Sequence, residues 1–232
     1  MSNATPVRRF AAFAHLCVAL TLTLPLALAA DEPAKVSKDG LELTKQTRQR
    51  LVYLRPGATF GHYNSVAILD CYIEFSKDWL SNYNMSQRDP GRRISDSDLD
   101  RAKTDLSAQF KKVFSEQLSE GGYKITDSGG PDVLVLRPAL INIQVSAPDL
   151  MAPGRSVTYA QSAGQMTLYL ELWDGASDKI VARVVDAQAD STAFGQRTNT
   201  VTNQAAANRI LNSWAEELVK KLDLARGKTG EG

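Results

Sequence analysis

Cysteine and histidine are scarce in this chain, two of each in 232 residues. A zinc site assembled from several Cys and His ligands lacks the ligands it needs, and no nucleotide or metal loop replaces it, so no cofactor is expected. Charge of one sign is also missing, with 27 basic side chains against 26 acidic ones. Nucleic acid demands a concentrated basic face, and no nucleic-acid partner is expected. Beyond the N-terminus no apolar run is long enough to span a bilayer.

The N-terminus does hold such a run. Arg8 and Arg9 precede an apolar stretch from Phe10 to Leu28, interrupted by His15, a few Thr and Pro25, and the first acidic residue is Asp31. This is the n-region, h-region and polar boundary of a secretory signal peptide. Ala27-Leu28-Ala29 places small side chains where signal peptidase reads, so residues 1–29 are expected to be removed, with cutting after Ala30 as the alternative. An uncleaved anchor is disfavoured by Pro25 and by the small residues before Asp31. A lipoprotein needs a Cys directly after a small residue at the boundary, whereas Cys17 lies in mid-run, which argues against lipid anchoring. Cleavage would leave an almost neutral periplasmic chain with no transmembrane helix and one thiol, Cys71, unable to form an internal disulfide.

Residues 30–50 are charged without sustained periodicity and read as a linker or N-terminal arm; residues 51–224 read as a single domain and residues 225–232 as a disordered tail. Leu51 to Leu54 is an apolar run ended by the turn signal Arg55-Pro56-Gly57. Ser65 to Phe75 is expected to be a strand with Ala67, Leu69, Cys71, Ile73 and Phe75 on one buried face. A loop with Asn82, Asn84 and Asp89 follows. Ser95 with Asp98 forms a capping-box signature before an apolar stripe, Leu99, Ala102, Leu106, Phe110, Val113, Phe114 and Leu118, and Gly121-Gly122 closes that helix. Val133 to Val145 reads as a long strand, placed at a sheet edge or bulged near Pro138 because proline cannot donate to a ladder. Met166, Leu168, Leu170 and Leu172 alternate with polar residues. Across the Asp174-Gly175 loop, Ile180, Ala182 and Val184 are expected on one face of a hairpin partner. From Thr202 helical spacing returns with Ala206, Ile210, Trp214, Leu218 and Leu222. The expected fold is α+β, in two layers: a mainly antiparallel sheet with two amphipathic helices packed on it.

Chemistry is thinly supplied. His62, in Phe60-Gly61-His62-Tyr63, has no Ser in a nucleophile-elbow setting. Asp96, Asp98 and Asp100 imitate a calcium loop, but Arg101 stands where the loop needs Gly and Ser107 where it closes with Glu, so they read as helix N-terminal acids. Glu74, Asp132, Glu171 and Asp186 have ordinary strand explanations. No catalytic or metal residue is assigned, and an enzyme is not expected. Two contact candidates remain: Arg88, Arg92 and Arg93 as an anion-binding loop, and Leu150-Met151, between Pro148 and Pro153, as an apolar contact loop.

Three groups of residues together resemble a bacterial family of exported proteins and lipoproteins, domain of unknown function 3313. They are Tyr53-x-Arg55-Pro56-Gly57 with Tyr63, the run Pro131-Asp132-Val133-Leu134-Val135-Leu136-Arg137-Pro138-Ala139, and Trp173-Asp174 with Lys179-Ile180. The resemblance implies an envelope location and a small α/β domain, and it carries no catalytic residues. The expected function is a non-catalytic periplasmic domain that binds or helps assemble an envelope protein or component, with self-association left open. The alternative is a lipid or glycan carrier or hydrolase, which requires an apolar pocket with convergent carboxylates.

Overall fold

The computed structural model describes residues 32–145, 158–160, 164–189, 196–198 and 200–228. The expected signal peptide and the Leu150-Met151 loop lie outside these residues. The body of the chain is the unit Ala34–Gly232. Its elements are β1 (Glu42–Gln46), β2 (Arg50–Leu54), β3 (Ser65–Ile68), β4 (Tyr72–Phe75), α1 (Lys77–Ser86), α2 (Asp96–Glu120), β5 (Lys124–Ile125), β6 (Val133–Val145), β7 (Thr158–Ala160), β8 (Gly164–Asp174), β9 (Lys179–Ala189), β10 (Gln196–Thr198) and α3 (Thr200–Ala225).

Eight strands form one open sheet in the order β1-β2-β9-β8-β6-β3-β5, with β4 pairing β6 beyond the end of β3. The pairings β1–β2, β2–β9, β9–β8 and β8–β6 are antiparallel, while β3 and β4 run parallel to β6 and β5 runs parallel to β3. β7 and β10 form a separate antiparallel pair. The fold is α+β with a mostly antiparallel sheet, as the periodicities require.

The alternation in β8 sends Met166, Leu168, Leu170 and Leu172 to one face, all buried. Against that face lie α2, through Phe110, Val113, Phe114 and Leu118, and α3, through Ala206, Ile210, Leu211, Trp214, Ala215 and Leu222. The capping box is present at Ser95 and Asp98. At the other end Gly122 takes φ +83°, and Tyr123 N–H bonds back to the Leu118 carbonyl at 2.9 Å, the left-handed stop that glycine allows. The two helices run in the same direction: Gln109 Nε2 donates to Asn208 Oδ1 at 2.6 Å, and Gly121 lies against Val219.

Four local readings are corrected. The strand expected over Ser65 to Phe75 is two strands, because the chain breaks at Leu69–Cys71. Val66 and Ile68 face the core before the break, and Cys71 and Ile73 after it, so the alternation changes phase and Leu69 turns outward, 43 % exposed. Pro138 is neither at the sheet edge nor in a bulge. Strand residues two apart direct their amides to the same side, and the Leu136 carbonyl accepts from Leu69 N–H at 3.0 Å. The missing Pro138 donor therefore faces the gap between β3 and β4, and the irregularity comes later, with Asn142 at φ 53°.

In β9, Ala182 and Val184 share the helix-covered face but Ile180 does not. A register shift sets Ile180 opposite Trp173, and it joins Leu41 and Tyr53 in a small cluster separate from the main core. Finally, the loop expected after β4 begins as helix α1. Ser76 caps it, and Phe75, Trp79 and Tyr83 stack in series at 5.8 and 6.1 Å, an aromatic row at four-residue spacing that runs from the end of β4 into a helix with no buried residue. The polar segment read as an arm carries β1, and Leu41 just before it is fully buried.

The β8–β9 loop closes against the segment before β6. A Cβ at Gly175 would meet the Val133 carbonyl oxygen at 2.7 Å and the Gly130 carbonyl oxygen at 3.0 Å, both backbone atoms that cannot swing aside. Gly175→Ala is expected to destabilise the fold by about 1–3 kcal/mol through overpacking, read as a lower urea midpoint at unchanged slope.

Candidate functional site

Continuing the period-two count of β9 past Ala182 and Val184 puts Asp186 on the same covered face, opposite Leu168 of β8 and Arg50 of β2. A carboxylate beneath a helix must be satisfied or it is costly. Asp186 Oδ2 accepts from Trp214 Nε1 at 2.6 Å, Arg50 Nη2 at 2.7 Å and Gln188 Nε2 at 3.1 Å. Arg50 also donates to Glu217 of α3, so one guanidinium ties β2, β9 and α3 together. Burial pushes the Asp186 carboxyl up, but these hydrogen bonds and the charge of Arg50 outweigh it and hold the carboxyl below its ordinary range. Arg50 is correspondingly held more firmly protonated, chiefly by its bond to Asp186.

Beside this cluster the sheet extends past α3. Val52 and Leu54 of β2, Leu168, Leu170 and Leu172 of β8, and Val184 of β9 form the floor of a crevice of about 370 Å³, walled by Trp214, Leu218 and Leu222 of α3. The volume falls within the usual range of small-molecule sites. Thr44, Lys45, Glu217 and Lys221 stand along it, and both lysines are exposed.

A second concavity, about 820 Å³, runs between β4 and α2. β4 is hydrogen-bonded to β6 on one side, and no strand among the described residues pairs with its other side. The groove is lined by Tyr72, 61 % exposed, and Glu74 on the strand, with Lys77, Lys103 and Lys111 from the helices around it.

The remaining candidates have structural partners or none that gathers them. Cys71 is buried, and burial pushes its thiol up to about 12 against a backbone hydrogen bond from Leu140 that lowers it. The His62 ring lies 3.9 Å from that of Tyr63. Glu171 is on the opposite sheet face from Asp186, held by Arg183 at 2.8 Å, while Arg183 also reaches Asp39 at 2.6 Å. Arg88, Arg92 and Arg93 are exposed on the connection between α1 and α2, and Arg92 faces Asp89 at 3.9 Å. Among the described residues no group of three or more His, Cys, Asp or Glu is placed to hold a metal ion, and no helix is long and apolar enough to cross a membrane.

The residues that carry the family resemblance meet one another. Tyr63 donates its hydroxyl to Asp174 at 2.9 Å, Arg55 Nε donates to the Ile180 carbonyl at 2.6 Å, and Arg137 stacks 4.7 Å over the Trp173 ring. These contacts fasten the β8–β9 loop and strand ends to β2, β3 and β6.

The molecule is thus an α+β domain with two long parallel helices on one face of an open mixed sheet. Residues 34–218 match the family described as Protein of unknown function (DUF3313), and the chain belongs to that family. No curated protein matches it. Solved structures to which the chain is similar include a PelC dodecamer from Paraburkholderia phytofirmans, with 10 % identity, 71 % of this chain and 96 % of that chain covered, and TM-score 0.37. A minor lipoprotein from Acinetobacter baumannii is similar at 11 % identity, 72 % and 95 % coverage and TM-score 0.32. A Xanthomonas campestris protein of family DUF330 is similar at 13 % identity, 74 % and 90 % coverage and TM-score 0.38.

Two outcomes follow from the local electrostatics. Because folding lowers the Asp186 pKa, its ionised form stabilises the fold above the ordinary carboxylate range, and that contribution is lost as pH falls through the depressed value. Asp186→Asn is expected to cost about 3 kcal/mol at neutral pH, as for one partner removed from a buried pair, and to flatten the acid limb of stability below about pH 4 in urea titrations. The Cys71 thiol is expected to resist iodoacetamide in the folded protein at about pH 8 and to react once urea unfolds it; rapid labelling of native protein would contradict its burial.

Proposed function

We propose that this chain is exported and serves in the cell envelope as a non-catalytic binding domain that meets a protein partner along the free edge of β4. The observation that carries the reading is the groove between β4 and α2. An edge strand offers unpaired backbone donors and acceptors to an extended segment, and side-chain pockets beside it supply selectivity. Lys77, Lys103 and Lys111 around the groove favour a segment bearing acidic side chains, with Tyr72 as an exposed aromatic anchor.

Several features support a binding role over a catalytic one. The Cys71 thiol is pushed far from the nucleophilic range. Glu171 and Asp186 are each engaged by an arginine, on opposite faces of the sheet. Export rests on the arrangement of Arg8, Arg9, the apolar run and Ala27-Leu28-Ala29. The exposed Arg88, Arg92 and Arg93 are proposed as a secondary contact for anionic groups, and Leu150 and Met151 as an apolar one.

A photoreactive phenylalanine analogue at Tyr72, introduced in cells producing the full chain, is expected to yield a discrete protein adduct. The same analogue at Leu224, exposed on α3, should not. Lys103→Glu with Lys111→Glu is expected to lower the adduct yield several-fold. Recovery of uncross-linked monomer alone from Tyr72 would overturn the reading.

A further inference from the structure

The crevice beside α3 has the composition of a ligand site and lies apart from the β4 groove. Its floor and walls are Val52, Leu54, Leu168, Leu170, Val184 and Leu218 with their neighbours, and its polar groups are gathered along Thr44, Lys45, Arg50, Asp186, Glu217 and Lys221. The charges in that set are unequal. Arg50 is satisfied by Asp186 and Glu217, whereas no ion pair among the described residues engages Lys45 or Lys221. Two unneutralised ammonium groups beside an apolar cavity call for a ligand that is apolar along its length and anionic at its end.

The shape argues for one chain rather than a ring system or a second polypeptide. The cavity is about 370 Å³, near the low end of ligand sites and too small for a packed protein element. It is bounded by backbone-anchored strand side chains on one side and by successive α3 turns, Trp214, Leu218 and Leu222, on the other. Leu168, Leu170, Leu172 and Ala182 are buried, at 3, 2, 5 and 1 % exposure, and Val52, Leu54, Val184 and Leu218 are half-buried, so the surface a ligand meets is apolar and methylenes laid on it leave water. Asp186 Oδ2 and both terminal nitrogens of Arg50 are already engaged, so the Arg50–Asp186–Trp214 cluster forms a fixed polar boundary rather than a ligand contact.

We propose that this crevice binds a single alkyl chain of an anionic amphiphile, the chain lying between α3 and β2–β9–β8 and the head group meeting Lys45 and Lys221. A carboxylate and a phosphate head satisfy the same two ammonium groups, so a free fatty acid and a lysophospholipid share the chemistry required.

The test uses protein purified after expression of the full chain and cis-parinaric acid, whose emission rises when its chain leaves water. Saturable binding of one probe per chain is expected. Palmitate and lysophosphatidylglycerol should each displace it, and the tighter competitor identifies the head group the site prefers. Val52→Trp fills the crevice and should abolish the saturable signal, while Val52→Ala, which widens it, should retain it; circular dichroism and a urea midpoint establish that both are folded. Lys45→Glu with Lys221→Glu should weaken palmitate roughly tenfold and leave the uncharged hexadecanol unchanged. Absence of a saturable signal, binding that survives Val52→Trp in a folded protein, or equal palmitate affinity in the double charge reversal would each overturn the proposal.

Discussion

A carboxylate on the dry face of a sheet is the constraint around which this domain is arranged. Asp186 lies under α3, 3 % exposed, and an uncompensated charge there would cost several kcal/mol. Compensation needs two groups from distant parts of the chain and one from the same strand. Arg50 must come from β2, Trp214 from α3 and Gln188 from further along β9, and Arg50 must then be shared with Glu217. Each donor is directional, so the cluster sets the rotation of α3 about its axis and the register of β2 against β9. Hydrophobic packing of Ile210, Leu211 and Ala215 supplies the larger gain, but it would tolerate a range of helix positions.

Two ion-pair networks lie on opposite faces of the sheet. On the face away from the helices, Glu171, Arg183 and Asp39 form a chain of ion pairs with Tyr169 and Trp173 bonded to the same carboxylate. On the covered face, the only charges beneath α3 among the described residues are those that bind each other. Concavities survive where the two helices are narrower than the sheet: past α3 over β2, and past β6 along β4. Both are consequences of eight strands under two helices.

What could be read from sequence was local. The hairpin of β8 and β9, the capping box of α2 and the apolar stripe of α3 depend on residues within a few turns of one another, and each stands where periodicity puts it. The misreadings depend on distant partners. The break at Leu69–Cys71 and the phase change of Cys71 match a gap opposite Pro138, about seventy residues away on a neighbouring strand. Ile180 changes face through a bulge set by its pairing with β8. For α1, the Phe75, Trp79 and Tyr83 spacing was a usable signal, masked by the polar residues between. The crevice could be anticipated only in part: counting β9 onward by twos would have exposed Asp186 as an acid on an apolar face. That Arg50, 136 residues earlier, answers it requires the strand order β2-β9, which no local pattern encodes.

The parallel course of α2 and α3 has an electrostatic consequence. Two helices laid side by side in the same direction add their dipoles instead of cancelling them, so their carboxyl ends concentrate partial negative charge at one end of the layer. The chain returns positive charge to that end through the residues after α3. Lys228 Nζ donates to the Gly121 carbonyl at the close of α2, at 3.2 Å, and pairs with Asp223 at 2.9 Å. Arg226 lies 3.8 Å over the Tyr123 ring and donates to the Tyr63 carbonyl at 2.6 Å. The last turns of the chain thus act as a counter-ion for the whole helical layer, and they clamp its carboxyl end to the strands beneath.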